Sequence, residues 1–302
     1  MSVIFKQEII MLLLIIVGIL CFKIGIITPN GRKDISSLVL SVVNPIVILL
    51  AYQKEFEMRL LKGLIASLVL SAIAFAVAIV VSNLLIRRKD GCETDIERFS
   101  AIYSNCGFMG IPLVNALFGS EGVFYLTAFL TVFNLLIWTH GIIQISGVRS
   151  LNSLKKALLS PSIISIAIGM IFFLARISLP NIVYQSLDYV AMMNTPLAML
   201  VAGATIAETN VLNAFKNIRI YWITLIKLAI IPLILLAIFR FISVEDTVKL
   251  TVITAMSAPT ATMCTLFCLR YDKNSKYASE IFAVTTLIST ATLPLVIWLA
   301  EL

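Results

Sequence analysis

Polar side chains that could bind a small ligand interrupt several long apolar runs of this sequence. Among the amides inside these runs, Asn44, Asn105 and Asn194 are the ones that we predict to contact a ligand. Amide and hydroxyl groups can donate hydrogen bonds to a carboxylate while they remain neutral, whereas a charged side chain at the centre of a bilayer costs about 2.5–3.5 kcal/mol. The pattern therefore favours recognition of a small organic anion by neutral groups. The other residues predicted to contact this anion are Thr195, Gly110, Ile111, Ser257, Thr260 and Thr262.

Two of the apolar runs contain a proline among small polar residues, and we expect both helices to break there. Pro112 follows Gly110, and Pro259 lies between Ser257 and Thr260. Proline has no N–H to donate, and its ring clashes with the carbonyl four residues earlier. Each break would begin a half-helix whose N-terminus is equivalent to about +0.5 charge, which favours an anion. The hydroxyls beside the breaks could also serve only to satisfy the carbonyls that a break sets free.

The overall composition is that of a membrane protein that crosses the bilayer many times. Of the 302 residues, 60% are hydrophobic and 13% are charged. Runs of about 20 apolar residues are long enough to span a bilayer, and the short gaps between them leave no room for a soluble domain. The first run lacks the cationic start and cleavage site of a signal peptide, so we expect it to be retained. The ten predicted spans are residues 9–27, 36–52, 60–86, 99–118, 122–147, 157–178, 187–207, 218–242, 247–269 and 276–300.

The distribution of Lys and Arg predicts how the chain is oriented in the cell membrane. The net charge of +7 is a topology signal in such a protein, and we predict no nucleic-acid partner. If there are ten spans, both termini lie on one face, and the loops of the opposite face carry about twice as many basic residues. Because basic loops face the cytoplasm, we predict that both termini lie outside it.

The two halves of the chain repeat the same order of spans. Each half has a uniform span, a span with an asparagine next to or near a proline, a long span, a broken span and a last uniform span. Asn44-Pro45 in the first half corresponds to Asn194-Thr195-Pro196 in the second, and we expect Pro45 and Pro196 to kink or break their helices as well. Because five is an odd number, the repeats at residues 1–150 and 151–302 must have opposite orientations in the membrane. We therefore predict an all-α protein of ten transmembrane helices, in which broken helices 4 and 9 cross near the midplane.

Lys227 and His140 are ionisable side chains inside the apolar runs, and each has two interpretations. Lys227 lies about eight residues, or roughly 12 Å, from the cytoplasmic end of the eighth span. Its ammonium could extend toward water, or it could replace a bound cation beside the ninth-span break. His140 could relay protons or form an ordinary structural hydrogen bond. A coupling ion, if there is one, is therefore H⁺ or Na⁺.

The stretch Ser-Asn-Cys-Gly-Phe-Met-Gly-Ile-Pro-Leu at residues 104–113 resembles the Asn-x-x-x-Met-Gly-Ile-Pro-Leu motif of the auxin efflux carrier family. This family includes the plant PIN carriers and bacterial permeases for organic acids. The segments around Asn194, Lys227 and Pro259 are similar to the second half of the family. The central loop of about ten residues is much shorter than that of many plant carriers, which argues against auxin as the physiological substrate.

The resemblance implies a fold similar to sodium/bile acid symporters and Na⁺/H⁺ antiporters. It implies that spans 1, 2, 6 and 7 form a scaffold, often a homodimer interface. Spans 3–5 and 8–10 would then form a transport domain that moves as an elevator. The resemblance also assigns Asn105 to the site for the organic anion.

An intramembrane enzyme is the competing class, and the residue pattern does not favour it. Such an enzyme needs paired acids, a His/Glu metal motif or a nucleophile with a base. The chain has one histidine, and its five cysteines have no metal-ligand spacing. We predict no enzymatic activity, no metal and no cofactor. A cation-coupled symporter of the bile-acid type, and a receptor or channel-like protein on the same fold, are the alternatives to an organic anion transporter.

Overall fold

The computed structural model describes residues 2–88, 91–147, 158–209 and 214–300. In these ranges the chain consists of helices and short connections and contains no β-strand. The helices are α1 Ser2–Lys23, α2 Pro29–Ala51, α3 Met58–Leu85, α4 Thr94–Ile102, α5 Cys106–Ser146, α6 Pro161–Leu174, α7 Asn181–Met192, α8 Asn194–Glu208, α9 Ile218–Phe239, α10 Asp246–Ser257, α11 Met263–Arg270 and α12 Ser275–Ala300.

Many of these helices are long and apolar enough to cross a membrane. Within the described part of the chain, six helical stretches meet both conditions. They are α2, α3, α5, α7 together with α8, α9, and α12. The predicted all-helical, multi-pass membrane protein is therefore confirmed at this level.

Prolines inside the long helices are accommodated by wider turns. π-Helical turns at Val39–Val43, Cys106–Gly110 and Ile226–Ile230 each end two residues before a proline. A proline cannot donate to the carbonyl four residues earlier. A π-turn pairs each N–H with the carbonyl five residues earlier, which shifts the hydrogen-bond register near the proline. As a result α2, α5 and α9 continue past their prolines.

The interruption in the first half lies earlier in the chain than the sequence analysis predicts. The prediction is a break at Gly110–Pro112, but these residues are helical in the structure. The chain is instead extended at residues 103–105, between α4 and α5. The π-turn before Pro112 relieves the steric clash on which the prediction depends. In the second half the interruption spans residues 258–262 and includes Pro259.

The two Asn-Pro segments also differ from each other. Pro45 lies inside the continuous helix α2, directly after a π-turn. The corresponding second-half helix is interrupted at Met193, between α7 and α8, three residues before Pro196. Asn44 and Asn194 nevertheless occupy equivalent places, because each is the first residue of the α-helical segment that carries the proline.

A sharp change of direction divides α5 at Gly119. This residue has φ 61° and ψ −157°, inside what is otherwise a helix. Glycine adopts a positive φ at little cost because it has no Cβ, whereas other residues rarely do. The part of α5 before Gly119 is thus a half-helix that begins at the interruption, and the part after it is a separate long helix.

Helices α1 and α8 are in direct backbone contact. A Cβ atom added at Gly203 would lie 2.1 Å from the carbonyl oxygen of Ile15, and one at Gly18 would lie 2.6 Å from that of Leu200. Inside a bilayer the hydrophobic effect does not drive helices together. Membrane helices associate instead through close packing, which small residues permit. The glycines at these two positions therefore set the distance between α1 and α8.

A buried ion pair holds α4, the helix that precedes the first interruption. Glu97 of α4 is fully buried. Its carboxylate accepts hydrogen bonds from the Arg219 guanidinium of α9, at 2.7 Å for the Nη2–Oε2 pair, and from the Tyr277 hydroxyl of α12 at 3.1 Å. Bidentate pairing of this kind constrains orientation as well as distance. It fixes α4 relative to the helices of the second half.

Candidate binding site at the crossing of two interrupted helices

The two interrupted segments cross and pair through their backbones. The N–H of Asn105 donates to the carbonyl of Pro259 at 2.7 Å, and the N–H of Ala261 donates to that of Tyr103 at 2.9 Å. These bonds make an isolated antiparallel bridge between Ser104 and Thr260. Extended backbone inside a membrane protein needs such partners, because lipid offers none. The crossing thus brings together residues about 150 positions apart, and α5 and α11 both begin directly after it.

The side chain of Asn105 has unused hydrogen-bonding capacity. Asn105 is buried. Its backbone carbonyl accepts hydrogen bonds from the N–H groups of Met109 and Gly110 at 2.9 and 3.2 Å. Its side-chain Nδ2 has no hydrogen-bond partner in the described part of the chain. A buried donor without a partner costs about 1–3 kcal/mol. Such a donor at a crossing of helix N-termini is what a bound anion would satisfy.

Asn44 and Asn194 form a hydrogen-bonded pair next to this crossing. Asn194 Nδ2 donates to Asn44 Oδ1 at 2.5 Å, and Asn44 Nδ2 donates to the Gly107 carbonyl in the first turn of α5 at 3.2 Å. Both asparagines are buried, and Oδ1 of Asn194 has no partner among the described residues. The three predicted asparagines therefore lie around one point, the start of α5. There they offer both a donor and an acceptor that the protein itself does not use.

The ammonium group of Lys227 reaches the crossing. Lys227 is fully buried, and its Nζ lies 2.6 Å from the Ser104 hydroxyl oxygen, to which it donates. The Ser104 hydroxyl in turn donates to the carbonyl of Met256 near the end of α10 at 2.9 Å. Lys227 stands in the π-turn of α9, which sets its direction. The side chain therefore extends into the protein, toward the crossing.

The hydroxyls of Ser257 and Thr260 are already used within the protein. Ser257 donates to the Ile253 carbonyl at 2.7 Å, and Thr260 donates to the Ser100 carbonyl at 3.0 Å. Neither hydroxyl proton is therefore free to bind an anion in this conformation. Thr260 matches the alternative stated above, because Ser100 lies in the last turn of α4, whereas Ser257 bonds back to a carbonyl inside its own helix.

Two cavities lie near the crossing, and four of the remaining predicted residues line them: Ile111, Pro112, Thr195 and Thr262. Gly110 and Pro45 line neither cavity. The first cavity, of about 320 Å³, is lined by Ile111 and Pro112 of α5 and by Asn194 and Thr195 of α8, together with Asp188 of α7. The second cavity, of about 380 Å³, is lined by Thr262 of the second interruption and by residues of α2, α8 and α11. Pro196 lines neither cavity and is exposed.

Several residues that complete the site are missed by the sequence analysis. Ser104 links Lys227 to the backbone of α10, and its position inside an apolar run was the signal for it. Thr285 of α12 accepts from the Thr260 N–H at 3.3 Å. Nδ1 of His140 lies 2.8 Å from the hydroxyl oxygen of Tyr103, which is a residue of the crossing itself. The pairing of His140 is not visible in the sequence, because Tyr103 lies in the interruption before α5 and His140 lies 37 residues later, in the second part of α5.

Comparison with known proteins is consistent with a membrane transporter. A family model described as a membrane transport protein matches residues 3–297. An uncharacterized transporter of Methanothermobacter thermautotrophicus is 24% identical over 288 residues, which are 94% of each chain. An uncharacterized transporter of Methanocaldococcus jannaschii is 22% identical over 291 residues, which are 92% of each chain.

A third relative carries a more specific name. A Rhizobium meliloti protein named "Putative malonate transporter" is 25% identical over 236 residues, which are 74% of this chain and 71% of the relative. The family match covers nearly the whole chain and includes the Asn-x-x-x-Met-Gly-Ile-Pro-Leu motif at the crossing. The chain is therefore a member of the membrane transport protein family, to which the auxin efflux carriers belong.

Proposed function

We propose that this protein transports small organic acid anions, such as monocarboxylates and malate- or malonate-like dicarboxylates, across the cell membrane. The observation that carries the proposal is the Asn105 Nδ2 at the crossing, which has no hydrogen-bond partner among residues 2–88, 91–147, 158–209 and 214–300, with Lys227 hydrogen-bonded to the neighbouring Ser104. The two half-helix N-termini at the crossing add positive potential. A carboxylate placed there would gain hydrogen bonds and charge stabilisation without an arginine in the membrane.

The proposed mechanism is an elevator with two inverted five-helix repeats, residues 1–150 and 151–302. The ten spans would be α1, α2, α3, α4 with the first part of α5, the rest of α5, α6, α7 with α8, α9, α10 with α11, and α12. Spans 1, 2, 6 and 7 would form the scaffold, and the others would form the transport domain. Two buried polar contacts join the proposed domains: Asn44 Nδ2 donates to the Gly107 carbonyl at 3.2 Å, and the hydroxyls of Tyr52 and Thr127 lie 2.7 Å apart. In the proposed mechanism these bonds are exchanged for others as the domains slide.

Charge compensation at the crossing is assigned to Lys227 in this proposal. The fully buried ammonium would play the part that a bound Na⁺ plays in a cation-coupled symporter. Its bond to Ser104 and the Ser104 bond to Met256 connect it to both interrupted helices. Transport would then be uncoupled from Na⁺.

The proposed orientation has both termini outside the cytoplasm, and a homodimer would form through the scaffold.

Uptake into proteoliposomes tests the proposed function. The native protein and Asn105→Ala would be compared with labelled malonate, malate, lactate and indole-3-acetate. We expect saturable uptake of at least one acid by the native protein and a loss of that uptake in the variant. A channel-like protein would give uptake that does not saturate, and a receptor would bind an acid without moving it. A Na⁺ requirement in the same assay would indicate the cation-coupled symporter.

A further inference from the structure

The second cavity beside the crossing has a chemical character that the proposed function does not explain. It is lined by two basic residues, Arg32 and Lys33, near the start of α2. Its wall also carries six hydroxyl groups from three helices and the second interruption. These are Ser36, Ser37, Ser41, Thr205, Thr262 and Thr265. We refer to it below as the basic cavity.

Arg32 is held in place at the mouth of the basic cavity. Its Nη1 donates to the Thr205 hydroxyl at 3.1 Å, and its Nη2 forms an ion pair with Glu208 at 2.7 Å. Its Nε is buried and has no hydrogen-bond partner in the part of the chain that the structure describes. Lys33 is exposed and takes part in no ion pair among the described residues. Glu208 balances one of the two cations, so one positive charge in the cavity is left without a counter-charge from its lining residues.

A polar stripe on α2 lines the basic cavity. Lys33, Ser37 and Ser41 are spaced four residues apart on α2, and all three line the cavity. The π-turn at Val39–Val43 shifts the helix register before Asn44, which is not among the lining residues. Thr262 on the opposite wall comes two residues after Thr260 of the bridge. The cavity therefore extends to the second interruption.

The other cavity beside the crossing has the opposite character. Asp188 lines it, and no lysine or arginine is among its lining residues. A carboxylate would be repelled from Asp188 and attracted to Lys33, because fields in a low-dielectric cleft are poorly screened. An anion is therefore expected to accumulate on the side of the basic cavity.

We propose that the basic cavity is a binding site for the carboxylate anion, in which Lys33 and the hydroxyl stripe of α2 hold it before it reaches Asn105. This inference rests on the proposed function. Lys33 supplies the charge, and Arg32, oriented by Thr205 and Glu208, shapes the end of the site. The hydroxyls of Ser37 and Ser41 offer hydrogen-bond donors along the cavity wall, whereas the Thr205 hydroxyl donates to Val201. The anion can therefore exchange water for protein donors in several steps.

Binding and transport of malonate by purified protein test this site. We expect Lys33→Gln to raise the Kd and the KM for malonate about tenfold, the loss of one charge-assisted contact. The matched control is Lys23→Gln. Lys23, the last residue of α1, is also exposed but does not line the cavity. Raising the salt concentration should weaken binding by the native protein and by Lys23→Gln more than binding by Lys33→Gln, since only the first two keep the charge.

A second measurement places the anion in the cavity. In a variant without native cysteines, malonate should slow the reaction of a cysteine at Ser37 with a small thiol reagent. Unchanged affinity in Lys33→Gln together with unprotected cysteine at position 37 would overturn the inference, while transport by the native protein would leave the proposed function intact. If the native protein neither binds nor moves any acid of the panel, it is the proposed function that fails.

Discussion

Lys227 of α9 donates a hydrogen bond to Ser104 at 2.6 Å, inside the crossing of the two interrupted helices. The ammonium is fully buried, and the partner hydroxyl belongs to the residue that bridges to Thr260. A buried cation of this kind is costly unless its neighbours compensate it. The position of this buried cation at the crossing is the physical basis for expecting Lys227 to act in transport.

The first prediction concerns coupling. If Lys227 replaces a bound cation, transport of a monoanion should be electrogenic and unaffected by Na⁺. A potential of 100 mV then supports an accumulation ratio of about 40- to 50-fold, because it is worth about 2.3 kcal/mol per charge. Lys227→Ala should lose transport, while Lys62→Ala, at an exposed position of α3, should keep it. Dependence on a Na⁺ gradient, or full activity of Lys227→Ala, would exclude this role.

The second prediction concerns Asn105. Removing its amide should lower transport about 10- to 100-fold, because a hydrogen bond to a charged group is worth about 1.5–3 kcal/mol. The thermal stability should change little, because Nδ2 has no partner among the described residues. Asn134→Ala is the control, since that amide donates to Leu130 within its own helix. A folded Asn105→Ala protein with native transport would remove Asn105 from the site.

The third prediction concerns the Asn44–Asn194 pair. The two side chains share a hydrogen bond of 2.5 Å and should line the scaffold side of the site. In a background without native cysteines, substrate should protect cysteines at positions 44 and 194 from a small thiol reagent to a similar degree. Equal labelling with and without substrate would mean that both asparagines serve only packing.

The fourth prediction concerns the contact between α1 and α8. Gly203→Leu should destabilise the protein by about 1–3 kcal/mol or prevent its folding, because the new side chain would overlap the backbone of α1 near Ile15. The thermal unfolding midpoint in detergent measures this effect. Ala207→Leu, at a half-buried position of the same helix, should be tolerated much better. Similar midpoints for the two variants would show that α1 can shift without cost.

The fifth prediction concerns the buried ion pair of α4. Glu97→Ala should cost about 1.5–3 kcal/mol of unfolding free energy, because it removes the charged acceptor of Arg219 and Tyr277 while Arg219, 29% exposed, keeps some contact with water. Asp95→Ala is the control on the same helix. Asp95 pairs with Arg88 at 3.7 Å, and both side chains are more than half exposed, so it should cost less than about 1 kcal/mol. A Glu97→Ala protein as stable as Asp95→Ala would show that Arg219 finds another partner.

The sequence by itself determined the class of the protein and the identity of most polar groups at the crossing. Apolar length, the scarcity of charges and the motif at residues 104–113 were sufficient for a membrane transporter. An amide or lysine inside an apolar run is conspicuous because lipid offers it no partner. Asn44, Asn105, Asn194 and Lys227 could therefore be recognised without knowing where they meet.

Only the tertiary structure decided which of these groups are paired and which are free. A proline in the sequence indicates that one backbone hydrogen bond of the helix is lost. The π-turn before Pro112 accommodates this loss, and the helix is interrupted at residues 103–105 instead. The hydroxyls of Ser257 and Thr260 bond to carbonyls, whereas the Asn105 amide remains without a partner among the described residues. The sequence could not distinguish these cases, because whether a polar group is satisfied depends on neighbours from helices far away in the chain.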